Sequence, residues 1–113
     1  MNCIFCKIIN RDIPATIVFE DEQLLAFRDI QPQTPDHILV IPKQHIPSLN
    51  YTNEEHQHLL GKLALTARNL AETLGHSNKG YRIVINTGDD GGQTVHHLHF
   101  HLLAGKPMSW PPG

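Results

Sequence analysis

The run Val95-His96-His97-Leu98-His99-Phe100-His101-Leu102-Leu103 constrains the fold of this chain more than any other stretch. In an extended strand, side chains alternate between two faces with period two. His97, His99 and His101 then share one face, and Leu98, Phe100 and Leu102 share the other. Such a strand buries its apolar face on a core and stands a row of imidazoles on the opposite side. Imidazole serves as nucleophile, base or acid near neutral pH. Same-face neighbours on a strand lie about 7 Å apart, so a phosphate held between two of them can be attacked by one and protonated by the next. His96 has the parity of the apolar face and reads as a residue leading into the strand. Just before it lies the glycine-rich Gly88-Asp89-Asp90-Gly91-Gly92-Gln93-Thr94. Its glycines allow backbone N–H groups to converge on phosphate oxygens, and Thr94 adds a hydroxyl donor. Asp89 and Asp90 would repel a phosphate and belong on the outer turn.

The remaining pattern supplies a frame for this strand. Residues 3–10 predict a short helix with Asn2 as N-cap and Ile4, Phe5, Ile8 and Ile9 at helical spacing. Thr16–Glu20 and Gln23–Asp29 read as two strands of a hairpin, turning at Asp21-Glu22. A proline-bearing loop, 30–36, leads to His37-Ile38-Leu39-Val40-Ile41, a buried central strand that Pro42 ends. Thr52–Leu74 predicts one long helix, with Thr52 and Glu55 as a capping box and Gly75 just past its end. Its stripe is Leu59, Leu63, Ala67, Leu70 and Leu74, widened by Leu60, Ala64 and Ala71. Tyr81–Asn86 and Val95–Leu103 complete the set as antiparallel neighbours joined by the glycine-rich loop. The fold class is α+β, with a mainly antiparallel five-stranded sheet, one long helix and one short one.

Length and charge narrow the function. At 113 residues the chain is a single domain over 1–113. A net charge of -2 with no basic run argues against a nucleic-acid binder. No apolar run approaches the roughly 20 residues of a membrane span, and no signal peptide is apparent, so a cytoplasmic location is expected. In that reducing setting Cys3 and Cys6 point to metal binding or redox work rather than a structural disulfide. No strand precedes the pair, which disfavours a thioredoxin-like site. Two reduced cysteines on a helix remain the plain alternative. The histidine face has a rival reading too: two histidines at i and i+2 make a zinc pair, with His37 or His45 as third ligand.

His97-Leu98-His99-Phe100-His101-Leu102-Leu103 follows the pattern His-φ-His-φ-His-φ-φ, where φ is apolar. With Ile13-Pro14-Ala15, Phe27-Arg28-Asp29-Ile30, Leu39-Val40-Ile41-Pro42-Lys43, Gly91-Gly92-Gln93-Thr94-Val95 and Trp110-Pro111-Pro112-Gly113, it resembles the histidine triad (HIT) family, Hint branch, over nearly the whole chain. The resemblance implies a purine nucleoside phosphoramidase acting on AMP–amine or adenylated-lysine bonds, and a homodimer whose two sheets join. It implies His99 as nucleophile, His101 as phosphate and proton partner, and His37 as a fourth histidine beside the triad. Asn86, Gly92, Gln93 and Thr94 would hold phosphate and ribose, and Asp29 and Ile30 would meet ribose and base. Trp110 in the tail would reach the partner's site and help select leaving groups. The position of His96 is commonly aromatic in that family. Some bacterial members carry the cysteine pair and bind structural zinc, which here implies Cys3, Cys6, His45 and His97 as ligands and no catalytic metal. Three classes therefore stand: the covalent phosphoramidase, an AMP- or GMP-binding regulatory protein with weak turnover, and a zinc-dependent hydrolase using the histidine face.

Overall fold

The computed structural model describes residues 2–113. Five strands form one antiparallel sheet: β1 (Ile17–Glu20), β2 (Leu24–Arg28), β3 (Asp36–Pro42), β4 (Tyr81–Val84) and β5 (Phe100–Ala104), in the order β1-β2-β3-β5-β4. Two helices flank it, α1 (Ile4–Ile9) and α2 (Gln57–Thr73). The α+β class, the hairpin and the antiparallel β4–β5 pair stand as the sequence predicts.

The period of two sorts the sheet into its faces. Leu24, Ala26, Ile38, Val40, Phe100 and Leu102 pack with Leu63, Ala67 and Ala71 of α2. The alternate residues Leu25, Phe27, Leu39 and Ile41 pack with Phe5 and Ile8 of α1. α1 is six residues long, too short to hold helical form by propensity alone. Its fixed position rests on these contacts and on its N-terminal cysteines. The histidines stand on the α1 side of the sheet.

Among the boundaries that differ from the sequence reading, three matter most. Cys3, not Asn2, caps α1, its Sγ accepting from the Cys6 N–H at 3.4 Å. The long helix starts at Gln57 instead of Thr52. Two 3₁₀ turns, Leu49–Tyr51 and Glu54–His56, come first. The capping box is Asn53 with His56: Asn53 Oδ1 accepts from the Glu55 N–H at 2.8 Å, and His56 Nδ1 accepts from the Asn53 N–H at 3.0 Å. Thr52 donates backward to Leu49 O instead.

The third difference bears on the site. β5 begins at Phe100, so His97 and His99 precede the paired strand. The ladder ends because β3 terminates at Pro42, which has no N–H to offer. The chain there leaves the sheet and bonds to the segment after Pro42, the Leu98 N–H donating to Ile46 O at 2.7 Å. Alternation nevertheless persists, with Leu98 in the α2-side core and His97 and His99 against Phe5.

Candidate active site and metal centre

Hydrogen bonds from the backbone assign each imidazole its tautomer. His99, 6% exposed, donates Nδ1–H to His97 O at 2.7 Å, which leaves Nε2 as a bare lone pair. His37 Nδ1 accepts the Gln33 N–H at 3.1 Å, so His37 carries its proton on Nε2. That proton is donated to His101 Nδ1 at 2.9 Å, and His101 in turn must be protonated on Nε2. Neighbouring imidazoles thus present opposite groups: His99 an acceptor, His101 a donor. Their ring centroids are 4.9 Å apart, closer than the backbone spacing alone suggests.

Burial lowers the pKa of all three. For His101 desolvation comes first and the neighbouring His99 and His37 add to it, bringing it from 6.5 to about 4. For His99 desolvation outweighs the opposing bond to His97 O and the charge of Asp29. Asp29 stands 3.6 Å from His37 Nε2 through Oδ2 and caps its own turn through Oδ1, which accepts the Gln31 N–H at 2.8 Å.

The glycine-rich loop differs from expectation. The Gly92 N–H donates to Asp89 O at 3.0 Å and the Gln93 N–H to Gly88 O at 3.1 Å, so neither amide is free for a phosphate. Gln93 is buried with its amide engaged: Oε1 accepts the Gly88 N–H, and Nε2 donates to Pro47 O and Val95 O. Asn86 Nδ2 braces Gly91 O at 2.7 Å. These two residues shape the loop and leave the exposed Thr94 at its rim. Gly91 is required by space, since a Cβ there would sit 2.2 Å from Thr87 O. Ile30 and Trp110 are 90% and 83% exposed, and the tail is tied by Arg82 Nη2 donating to Ser109 O at 2.8 Å. Asp29, His37, His99 and His101 are therefore gathered in one place, while Ile30, Thr94 and Trp110 lie open to solvent.

Cys3, Cys6, His45 and His97 form a second cluster, each offering one donor atom within 4.8 Å of the others. Cys3 Sγ and Cys6 Sγ lie 3.4 Å and 3.6 Å from His97 Nδ1, Cys6 Sγ lies 3.4 Å from His45 Nδ1, and the two Nδ1 atoms are 3.1 Å apart. These separations are near the edges of a tetrahedron built on zinc bonds of about 2.0–2.3 Å. His97 donates Nε2–H to Pro42 O at 2.8 Å, which fixes its lone pair on Nδ1, facing the thiols. A cleft of about 390 Å³, lined by Cys3, His45, Thr94 and His96 among others, opens onto this cluster.

Asp29, His37 and His101 also lie within donor reach of one another. Here the hydrogen bonding does not fit a cation. His37 Nδ1 is already occupied by the Gln33 N–H, so a metal on Nε2 would require an imidazolate. The first cluster suits a metal, and the second suits proton placement.

Sequence reasoning missed three contributors. Gln33 and Pro42 act through the backbone, which no residue pattern reveals. Phe5 stands edge-to-face with both His97 and His99, at 5.9 Å and 5.1 Å. It reads in the sequence only as an apolar helix residue.

The HIT domain family profile matches residues 10–108. A HIT-like protein of Synechococcus elongatus, itself uncharacterised, is 60% identical over 97% of this chain and 96% of its own. The crystal structure of a HIT family hydrolase from Legionella pneumophila superposes with a TM-score of 0.97 at 53% identity, covering 99% of this chain and all of that one. A zinc-bound histidine triad family protein from Mycobacterium smegmatis superposes at 0.83 with 37% identity, over 94% of this chain and 76% of its own. With its histidine pattern and sheet in place, this chain belongs to the HIT family and shares the fold of HIT family hydrolases.

Proposed function

We propose that this protein is a purine nucleoside phosphoramidase that cleaves AMP–amine bonds through a covalent nucleotidyl-histidine. The observation that carries the reading is the pair of opposite tautomers on adjacent imidazoles, a lone pair on His99 Nε2 and a donor on His101 Nε2. His99 Nε2 attacks phosphorus, and the bond from phosphorus to the amine nitrogen breaks. His101 arrives neutral and donates to a phosphoryl oxygen. The negative charge of the bound phosphate raises the pKa of the His37–His101 pair, which takes up one proton from solvent and passes one from His101 Nε2 to the departing amine, so the pair ends neutral as it began. Water next attacks phosphorus, the phosphorus–His99 bond breaks and the proton lost by water passes to solvent, releasing AMP and restoring the imidazole. His37 holds His101 in the donor tautomer. Asp29 is placed to favour positive charge on the pair. Thr94 serves phosphate, and Asp29 and Ile30 serve ribose and base. Asn86, Gly92 and Gln93 contribute by shaping the loop.

The Cys3, Cys6, His45 and His97 set holds structural zinc in this reading, and zinc would supply the tie between α1 and the histidine run. Its support is the donor chemistry and the lone pair fixed on His97 Nδ1. A homodimer completes the site, with Trp110 of each tail reaching the other copy. The unpaired outer edge of β4 and the exposure of Trp110 support this.

Incubation with an AMP–amine phosphoramidate tests the reading. Expected are a protein species heavier by one adenylyl group, located on His99, and turnover that continues when free metal is chelated. Tight AMP binding without that species would instead mark a regulatory binder. Chelator-sensitive turnover with no covalent species, in protein that stays folded, would mark a zinc hydrolase.

A further inference from the structure

Phe5 occupies an unusual place for a core residue. It is 6% exposed and meets three rings at steep angles: Phe27 at 5.4 Å and 75°, His97 at 5.9 Å and 67°, and His99 at 5.1 Å and 87°. It also sits between Cys3 and Cys6, both members of the metal-suited cluster. One ring thus bridges that cluster and the imidazole with the bare Nε2.

A single hydrogen bond, Nδ1–H to His97 O, pins one atom of the His99 ring. It does not by itself stop the ring from pivoting about that bond. His101 approaches His99 at 65°, and Phe5 stands nearly perpendicular to it. Perpendicular aromatic contacts are favourable and directional, so these two neighbours restrict the pivot. The anchoring of Phe5 is external to the catalytic strand. It comes from Phe27 on β2 and from a helix whose cap is Cys3.

We infer that Phe5 is a positioning residue for His99, through which the docked α1 helix holds the nucleophile's Nε2 toward the substrate phosphorus. This rests on His99 acting as the nucleophile. The positioning itself can be read without turnover.

The test compares Phe5→Leu, which keeps an apolar side chain and removes the ring, with Ile8→Val, which trims the same helix and the same core layer. Zinc content and melting temperature are measured on both. Histidine-labelled protein gives the His99 tautomer and line widths by nitrogen-detected NMR. Expected for Phe5→Leu is a broadened or mixed-tautomer His99 signal, and a kcat about tenfold lower with KM within about twofold. Ile8→Val should lose stability yet keep the His99 signal and kcat. If Phe5→Leu does not fold, Phe5→Met is carried through the same measurements. A wild-type His99 signal in the folded Phe5 variant overturns the inference, as does a kcat loss no larger than that of Ile8→Val. Should the wild type show no turnover, the phosphoramidase reading fails while the NMR comparison still decides the role of Phe5.

Discussion

Adjacent histidines present different groups here, and the difference lies in what each Nδ1 meets. His99 Nδ1 meets a carbonyl, and His101 Nδ1 meets an N–H. Replacing His99 or His97, whose ring nitrogens both meet backbone carbonyls, has distinct consequences. His99→Ala should lower turnover by about 10³-fold or more with zinc content unchanged, while the His97 carbonyl loses its partner at a cost of about 1–3 kcal/mol. His97→Ala should reduce zinc content, activity and stability together. The Pro42 carbonyl loses its partner in that variant, which alone costs about 1–3 kcal/mol. Metal analysis and thermal melts of the two proteins check this, and equal zinc in wild type and His97→Ala would count against the cluster. Turnover needs neutral His99, whose pKa burial lowers from 6.5. The acid limb of the kcat/KM profile should therefore lie below pH 6.5. At Gly91 the test is steric. Gly91→Ala drives a methyl into Thr87 O and should cost about 1–3 kcal/mol in urea denaturation, with loss of nucleotide binding as the loop shifts.

At the level of elements, what could be read from the sequence depended on how local its cause was. The three-histidine alternation, the hairpin and the stripe on α2 follow from residue periodicity, and they hold. The start of β5 could not be read locally, because it is set by Pro42, far away in sequence, where the ladder partner loses its N–H. The internal bonding of the glycine-rich loop is illegible in the sequence for a related reason. Glycines signal that amides can converge, but the turn bonds to Gly88 O and Asp89 O use those amides before a ligand could. The place of His37 beside His101 follows from the family resemblance and not from spacing, and the structure has it there; Asp29, expected at ribose and base, stands 3.6 Å from His37. The element most exposed to experiment is α1. Chelation should release it, seen as faster amide exchange over residues 4–9 and a lower melting temperature, while α2 remains protected.

For the whole molecule, burial of neutral histidines sets the response to acid. His37 and His101 are held below 6.5 in the folded chain, and His101 reaches about 4. The unfolded chain takes up protons first as pH falls, so their contribution is complete above 6.5 and is lost progressively down to about 4. Asp36 acts in the same direction at lower pH, its contribution present above 3.8 and lost below that value. His76 and then Arg28 hold its carboxyl below the ordinary value, and the ion pair fades as that carboxyl protonates. Denaturation midpoints measured from pH 7 to 4 should fall steadily. Among the described residues no helix is long and apolar enough to cross a membrane. Sedimentation should report a mass of two chains, and removing residues 109–113 should alter leaving-group preference more than the chemistry on a shared adenylyl group.

The contact between Cys3 and His97 spans 94 positions of the chain. Closing so large a loop is entropically slow, so during biosynthesis this contact forms only after nearly everything between its ends exists. With zinc held as proposed, ion capture at the four donors would mark the end of maturation. A prematurely terminated polypeptide lacking the histidine run keeps Cys3, Cys6 and His45, three of the four donors, and cannot complete the set. On that reading, full metal retention would distinguish finished molecules, which zinc measured on nascent chains released at successive lengths checks.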